Sequence, residues 1–209
     1  MKTEVQIPVN NIAIEGILAI PENPIGIVVF SHGSGSGRFS PRNNFVAQVL
    51  QEASIGILLV DLLTEEEDEV YENRFDIDLL TDRLLSIIAW LKSQDQTRDL
   101  SIGLFGASTG AASALKAAAI LGPKIRAVVS RGGRPDLAIE ELPKVSAPTL
   151  LIVGGEDEIV IKLNEESLEK LNTLKKLEII PGATHLFEEP GTLEEVARLA
   201  AEWFKQYLR

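Results

Sequence analysis

Short apolar runs alternate along the chain with longer segments that have helical periodicity. Most of the apolar runs are continuous and rich in valine, isoleucine and leucine, which is typical of parallel strands buried on both faces of a sheet. The predicted strands span residues 25–30, 55–60, 100–105, 125–129, 149–153 and 176–180. The predicted helices span residues 43–53, 76–91, 108–121, 165–171 and 192–208.

Strands that alternate with helices predict an α/β fold, in which crossover helices cover both faces of a mostly parallel sheet. The opening segment differs, because residues 4–8 and 12–20 alternate between polar and apolar positions like an antiparallel hairpin. We expect this hairpin at one edge of the sheet. The chain has 209 residues without an evident linker or repeat, so one domain over residues 1–209 is predicted.

The charge balance argues against two classes of partner. With 31 acidic and 20 basic residues, the formal net charge is -11. Nucleic acids and anionic membrane surfaces are bound by concentrated positive charge, so neither partner is expected. The apolar runs have the length of strands, so no transmembrane helix is expected either.

Cysteine is absent, which excludes disulfides, cysteine-ligated zinc and a thiol nucleophile. Only two histidines occur, so a metal site built on several imidazoles is not expected, and no cofactor is predicted. The first residues contain no basic segment followed by an apolar run, which argues against a secretory signal. Together with the absence of cysteine, this favours a cytoplasmic location.

The strongest chemical signal is the sequence GASTG at residues 106–110, between a predicted strand and a predicted helix. A G-x-S-x-G sequence in that context is typical of a nucleophile elbow, a tight turn that lifts the serine oxygen above the sheet edge. Side chains two residues before and after the serine would collide with the turn, which explains the glycines. We therefore predict Ser108 as a nucleophile. A glycine-rich turn without chemistry is the alternative.

A serine nucleophile needs a base, and the only histidine after Ser108 is His185. It lies directly after the predicted strand 176–180, at the carboxyl end of the sheet, where open α/β sheets bind ligands. The acid that orients this base should follow the strand at 149–153. The acids in that loop are Glu156, Asp157 and Glu158. The order of residues in the chain leaves the choice among the three open.

The sequence SHGSGSG at residues 31–37 follows a predicted buried strand. Acyl transfer needs N–H donors for the oxyanion, one from the residue after the nucleophile and one from a loop after an early strand. Because lipases and esterases have a His-Gly sequence in that loop, the N–H groups of Thr109 and Ser34 are the predicted donors. His32 is interpreted as a structural histidine that shapes the loop. The glycine spacing fits neither a P-loop nor a dinucleotide-binding G-x-G-x-x-G sequence.

Arg131 and Arg134 follow another predicted strand and are expected near the same edge of the sheet. A guanidinium group pairs with carboxylate or phosphate in a planar fork, so both are candidates for binding an anionic part of a substrate. Salt bridges to nearby acidic loops are an equally supported alternative. Residues 64–69, five of them acidic, are expected to form a solvated loop, with a rim that repels anionic substrates as the alternative.

Several motifs together resemble a dienelactone-hydrolase-like branch of the α/β-hydrolases. They are HGSGSGR at 32–38, SPRN at 40–43, DLLT at 61–64, GASTG at 106–110 and SRGGR at 130–134. The resemblance implies an α/β-hydrolase fold with little or no cap domain, acting on carboxylic esters or lactones. The spacing of Gly155, Asp157 and Val160 resembles the acid loop of these enzymes, which implies Asp157 as the partner of His185.

The predicted reaction is acyl transfer on a small-molecule ester or lactone, catalysed by Ser108, His185 and Asp157 without cofactor or metal. Dienelactone hydrolases themselves have a cysteine nucleophile, whereas position 108 is serine, so general esterase chemistry is expected. A thioesterase, amidase or peptidase would use the same three residues. A non-catalytic binding module with the same fold is a further alternative, against which the presence of all three side chains argues.

Overall fold

The structure is a computed structural model that describes residues 2–209. The strands in this range are β1 (Lys2–Val9), β2 (Ile12–Ala19), β3 (Ile27–Ser31), β4 (Gly56–Val60), β5 (Ile102–Ala107), β6 (Ile125–Arg131), β7 (Thr149–Gly154) and β8 (Lys175–Ile180). They form one eight-stranded sheet in the order β1-β2-β4-β3-β5-β6-β7-β8.

The first two strands form an antiparallel hairpin at one edge of the sheet, with Lys2 opposite Ala19 and Val9 opposite Ile12. Strand β2 pairs with β4 in antiparallel orientation, and the remaining pairings are parallel. The predicted edge hairpin and the mostly parallel sheet are therefore confirmed. Strands β3 to β7 are buried almost throughout, which explains why their sequences are continuous apolar runs.

Helices cover both faces of the sheet. They are α1 (Pro41–Glu52), α2 (Glu65–Asp68), α3 (Ile77–Ser93), α4 (Thr109–Leu121), α5 (Glu158–Lys170) and α6 (Thr192–Tyr207). The sheet separates two clusters of buried apolar side chains. One includes Leu84 of α3 and Leu115 of α4, and the other includes Leu50 of α1 and Phe204 of α6. Each face of the sheet thus has its own apolar core, as the α/β prediction requires.

Helix α5 begins at Glu158, whereas the sequence pattern predicts a start at residue 165. The side of α5 that faces the protein includes the polar residues Asn164 and Ser167, both of which are fully buried. Asn164 Nδ2 donates to the Gly133 carbonyl at 2.9 Å and to the Val160 carbonyl at 2.8 Å, which satisfies the donor side of the buried amide. Because polar residues occupy positions where apolar ones would mark a helix, the predicted start is wrong.

The acidic run contains a short helix, α2, where the sequence predicts a loop. The Thr64 hydroxyl accepts a hydrogen bond from the Glu67 N–H, and the Glu67 carboxylate accepts one from the Thr64 N–H. This reciprocal arrangement is a capping box, for which the Thr-x-x-Glu spacing is the sequence signal. Glu65 and Glu66 are exposed, so the predicted solvation holds although the predicted loop is wrong.

The candidate residues are grouped at one edge of the sheet. Strands β3, β5, β6, β7 and β8 run in the same direction, so the loops at their carboxyl ends lie side by side. No helix within residues 2–209 is both long and apolar enough to cross a membrane. Within the same range, no three histidine or carboxylate side chains are grouped in a way that could hold a metal ion.

Candidate active site

Ser108 lies at the sharp turn that joins β5 to α4. Its backbone has φ 50° and ψ -123°, a conformation that residues other than glycine rarely adopt. The Ser108 N–H donates to the Arg131 carbonyl at 3.2 Å, and the Ser108 carbonyl accepts from the Arg134 N–H at 3.0 Å. The end of β6 and the segment that follows it therefore hold the strained turn in place, as the surroundings of a functional site commonly do.

Glycines allow this turn to pack closely against its neighbours. A Cβ atom on Gly106 would collide with the backbone of Ala111 in α4. One on Gly110 would collide with the carbonyl oxygens of Ser31 and His32. These contacts are the steric reason for the G-x-S-x-G spacing, and they place the serine in the geometry of a nucleophile elbow.

The candidate base and acid are hydrogen-bonded to each other. His185 Nδ1 lies 2.6 Å from Asp157 Oδ2. Asp157 follows β7 and His185 follows β8, so the parallel pairing of these strands brings the two loops together. Glu156 and Glu158 are exposed, whereas the Asp157 side chain is only 17% exposed. Of the three acids in this loop, Asp157 is therefore the one that can orient the imidazole.

The imidazole and the serine lie at the same corner of the sheet edge. A Cβ atom on Gly132 would lie 3.6 Å from His185 Cε1. Gly132 directly follows Arg131, whose carbonyl accepts the Ser108 N–H. Within residues 2–209, Ser108 Oγ and the imidazole are not hydrogen-bonded to each other. In free enzymes this hydrogen bond is often long, and it shortens when substrate binds.

His32 fixes the loop that follows β3. The residue is buried, with 6% of its surface exposed. Its Nε2 accepts the Leu62 N–H at 2.9 Å, so the neutral ring carries its proton on Nδ1 and donates it to the Gly33 carbonyl at 2.8 Å. Burial lowers the pKa of His32, which favours this neutral form. Both ring nitrogens form hydrogen bonds, one to Gly33 in this loop and one to Leu62 in the segment after β4. This supports the structural interpretation of His32 over a role as base.

The two predicted oxyanion donors are in direct contact. The Ser34 N–H donates to the hydroxyl oxygen of Thr109 at 3.0 Å. Thr109 is the first residue of α4, where backbone N–H groups have no intrahelical acceptor. A Cβ atom on Gly33 would lie 3.0 Å from Ser108 Cβ, so this loop packs directly against the candidate nucleophile. In this structure the Ser34 N–H thus donates to a side chain, and its role as an oxyanion donor stays a prediction.

Arg134 is occupied by an ion pair. Its Nε and Nη2 donate to the two carboxylate oxygens of Asp136 at 2.9 and 2.8 Å. The Nε–Nη2 edge of the guanidinium is thus paired within the chain, as the salt-bridge alternative expects, and the contact of Arg134 with substrate stays a prediction.

Arg131 is in the opposite situation. Only 8% of its surface is exposed, and its buried Nη1 has no hydrogen-bond partner within residues 2–209. Burial, together with the positive charge of Arg42, lowers the pKa of Arg131 to about 10. A buried cation without a counterion is unfavourable, so an anionic partner from outside the chain would relieve it. The substrate-binding alternative thus fits Arg131.

Arg42 lies in the first turn of α1 and belongs to the SPRN motif, but the sequence analysis did not predict it as a site residue. Its Nη1 is 3.2 Å from Glu188 Oε1, and its buried Nε has no partner in the described part of the chain. A positive side chain at a helix N-terminus opposes the helix macrodipole. That unfavourable placement, directly after Pro41, is a sequence signal that could have identified Arg42 as a site residue.

A large cleft in the described chain does not coincide with these residues. It has a volume of about 650 Å³ and borders the loop after β3, with Arg38, Asp61 and Glu65 among its walls. Neither Ser108 nor His185 lines it. The chemistry-bearing side chains, which the sheet topology brings together, define the candidate site better than the size of this cleft does.

A family model described as "Dienelactone hydrolase family" matches residues 14–208. The chain belongs to the dienelactone hydrolase family. A crystal structure of a dienelactone hydrolase from Anabaena variabilis is 54% identical, with a TM-score of 0.97 over 100% of this chain and 99% of that chain. The resemblance identified from the sequence motifs is thereby confirmed.

A curated relative from Mycobacterium tuberculosis is 54% identical over 205 residues, which is 98% of this chain and 46% of the relative. Its name provisionally describes a phosphoribosyl transferase. The dienelactone hydrolase family member described here thus spans about half the length of the curated relatives it matches.

More distant structures share the fold. A serine hydrolase without a lid from Xanthomonas campestris is 21% identical, with a TM-score of 0.80 over 99% of this chain and 95% of that chain. Est1E from Butyrivibrio proteoclasticus is 18% identical, with a TM-score of 0.84 over 97% and 98% of the two chains. At these identities the likeness concerns the fold alone. The predicted α/β-hydrolase fold is confirmed, with helices on both faces of the sheet.

Replacing Gly110 with alanine should destabilise the elbow. The added Cβ would force the Ser31 and His32 carbonyls apart, so we expect a loss of about 2 kcal/mol or more in the free energy of unfolding, measured with urea. The φ of Gly110 is not in the left-handed region, so backbone strain does not add to the clash. At an unhindered helix position the same change stabilises by up to about 1 kcal/mol, so an unchanged or higher free energy of unfolding would contradict the steric account.

The low pKa of His32 predicts a dependence of stability on pH. The unfolded chain binds a proton at His32 as the pH falls below 6.5, while the folded chain resists protonation, so stability is lost as the pH falls through that value. The loss is at most about 1.4 kcal/mol per pH unit from this group. Urea unfolding at pH 7.5 and 5.5 should show a smaller difference for His32→Gln than for the wild type. The same difference in both proteins would argue against a buried neutral His32.

Proposed function

We propose that the chain is a serine hydrolase that cleaves carboxylic esters or lactones with Ser108, His185 and Asp157. The observation that carries the proposal is the 2.6 Å hydrogen bond between His185 and Asp157 at the corner of the sheet that also holds the strained Ser108. Membership of the dienelactone hydrolase family supports hydrolase activity. A catalytic triad is recognised by such geometry and by the roles it allows.

The hydrogen bond to Asp157 fixes the role of each imidazole nitrogen. With its proton on Nδ1, His185 leaves Nε2 as the base that takes the proton from Ser108. The serine oxygen attacks the ester carbonyl and forms an acyl-enzyme intermediate. His185 then protonates the leaving alcohol and later activates the water that releases the acid. Asp157 stays ionised and stabilises the imidazolium form.

The unpaired guanidinium of Arg131 supports an ester with an anionic group as the substrate. Arg131 is buried and without a counterion, and its backbone carbonyl binds the Ser108 N–H, so the residue directly adjoins the nucleophile. Arg42 contributes a second positive charge nearby, with one buried N–H unpaired. A carboxylate or phosphate oxygen on the substrate would satisfy these donors.

The name of the curated Mycobacterium tuberculosis relatives concerns proteins about twice as long, of which this chain matches 46%. We therefore assign no phosphoribosyl transfer to this chain. A thioesterase, amidase or peptidase remains compatible with the triad, because the leaving group is selected by the pocket. A binding module with the same fold is the alternative of another class.

Labelling with a fluorophosphonate tests the nucleophile. The wild type should take up one phosphonyl group per chain, because an activated serine attacks the reagent, and Ser108→Ala should take up none. Mass spectrometry of the intact protein measures the stoichiometry. An unlabelled but folded wild-type protein would favour the binding module.

Replacement of the acid tests the triad. Asp157→Asn should lower kcat for p-nitrophenyl butyrate by roughly 10³- to 10⁴-fold, because the imidazole loses its tautomer and its ion partner. Glu156→Gln is the matched control, since it removes an exposed carboxylate one residue away, and it should leave kcat unchanged. Similar kcat values for the two variants would exclude Asp157 from the triad.

Arg131→Met tests the anion site through two measurements, because it should weaken the binding of an anionic substrate and stabilise the fold. It should raise KM for a p-nitrophenyl ester of a dicarboxylic acid by about tenfold or more, because a charge-assisted hydrogen bond is lost, and leave KM for the neutral butyrate ester unchanged. It should also raise the melting temperature, since removal of a buried unpaired charge is favourable. Arg134→Met is the control, and its loss of an ion pair should not discriminate between the esters. Equal changes in KM for both esters would remove the anion site.

A further inference from the structure

The contact between Ser34 and Thr109 leaves the hydroxyl proton of Thr109, beside the nucleophile, without an acceptor in the described part of the chain. Thr109 Oγ1 accepts the Ser34 N–H at 3.0 Å. Thr109 is buried, with 5% of its surface exposed. Buried hydroxyl groups normally donate as well as accept. The missing acceptor is therefore expected to arrive with the substrate.

The position of Thr109 indicates which substrate atom this is. The residue directly follows Ser108 and begins α4, so its backbone N–H lies at the positive end of the helix. The N–H and the hydroxyl of one threonine are separated by two carbon atoms, so an oxygen that accepts from one lies close to the other. The oxygen that gains charge when Ser108 attacks a carbonyl is the acceptor expected at this place.

We propose that the Thr109 hydroxyl is a catalytic donor to the oxyanion, and that the Ser34 N–H acts through it. A hydroxyl group that accepts a hydrogen bond donates a stronger one, because successive hydrogen bonds polarise each other. Ser34 becomes a positioning residue instead of the direct donor that the sequence predicts. The inference deepens the proposed esterase function and rests on it.

The side chain geometry favours this arrangement over direct donation by Ser34. For the Ser34 N–H to reach the oxyanion, the Thr109 hydroxyl would first have to move out of the way. A threonine in a helix is restricted to two side-chain rotamers, and Thr109 is itself buried, although Ser34 is exposed. Movement would also leave the threonine oxygen without the donor that it has in the resting protein. Donation through the hydroxyl keeps every existing hydrogen bond.

The proposed step balances without another reagent. The bond from Ser108 Oγ to the carbonyl carbon forms while the π electrons move onto the carbonyl oxygen, and the serine proton passes to His185 Nε2. The Thr109 hydroxyl donates a hydrogen bond to that oxygen and keeps its own proton. When the intermediate collapses, the electrons return, the bond to the leaving alcohol breaks, and His185 protonates the alcohol.

The test compares Thr109→Val, which removes the hydroxyl at nearly constant shape, with Thr109→Ser, which keeps it. With p-nitrophenyl butyrate, Thr109→Val should lower kcat by about 100-fold, as the loss of one oxyanion donor does in other enzymes, with little change in KM. Thr109→Ser should retain kcat close to that of the wild type. Thermal unfolding shows whether each variant is folded, and Thr109→Ala replaces the valine variant if that protein is not.

A transition-state analogue separates a catalytic role from a structural one. A trifluoromethyl ketone forms a negative oxygen on Ser108, so its affinity should fall in Thr109→Val by the same factor as kcat/KM and be preserved in Thr109→Ser. A Thr109→Val protein that is as fast as the wild type, or faster because the Ser34 N–H is released, would overturn the inference. A wild type without Ser108-dependent hydrolysis would instead refute the proposed function, and the inference with it.

Discussion

The backbone conformation of Ser108 is the constraint on which the rest of the site depends. A serine at φ 50° is strained by about 1–3 kcal/mol, and the strain persists only because neighbouring elements leave no alternative. The backbone carbonyl of Arg131, at the end of β6, accepts the Ser108 N–H, and the N–H of Arg134 donates to the Ser108 carbonyl. The SRGGR sequence thus has a backbone role at the elbow besides any role of its arginine side chains.

The loop after β3 extends the same constraint to the proposed oxyanion site. It is fixed at three successive positions, by His32 to Leu62, by Gly33 against the elbow, and by Ser34 to Thr109. Because His32 is neutral and buried, the first of these contacts places no charge in the loop. The loop is therefore held by uncharged hydrogen bonds and by close packing at Gly33, and none of these contacts involves a positively charged side chain. Such preorganisation is what stabilisation of an oxyanion requires.

The sequence predicted the elements that are buried on both faces and the turn whose sterics are local. Continuous apolar runs identified the strands, because burial on both faces leaves a local pattern. Gly106 marked the turn, because its close contact is with Ala111, five residues further along the chain. The first turns of α5 were not predicted, because Asn164 and Ser167 are buried through hydrogen bonds instead of apolar contacts. The Ser34–Thr109 contact depends on how two distant segments meet, and no periodicity reports on that.

The net charge of the whole chain and the charge of the buried Arg131 have opposite signs. The chain carries a net charge of -11, which alone would repel an anionic substrate, and the exposed acids of α2 contribute to that field. Surface charges are screened over about 8–10 Å at ordinary salt concentrations, whereas a buried guanidinium is screened far less. In the proposed function, a substrate oxygen at the sheet edge is therefore attracted mainly by the buried Arg131, because Arg42 is paired with Glu188. An acidic protein can in this way bind an anion, provided that the positive charge is buried and has no partner of its own.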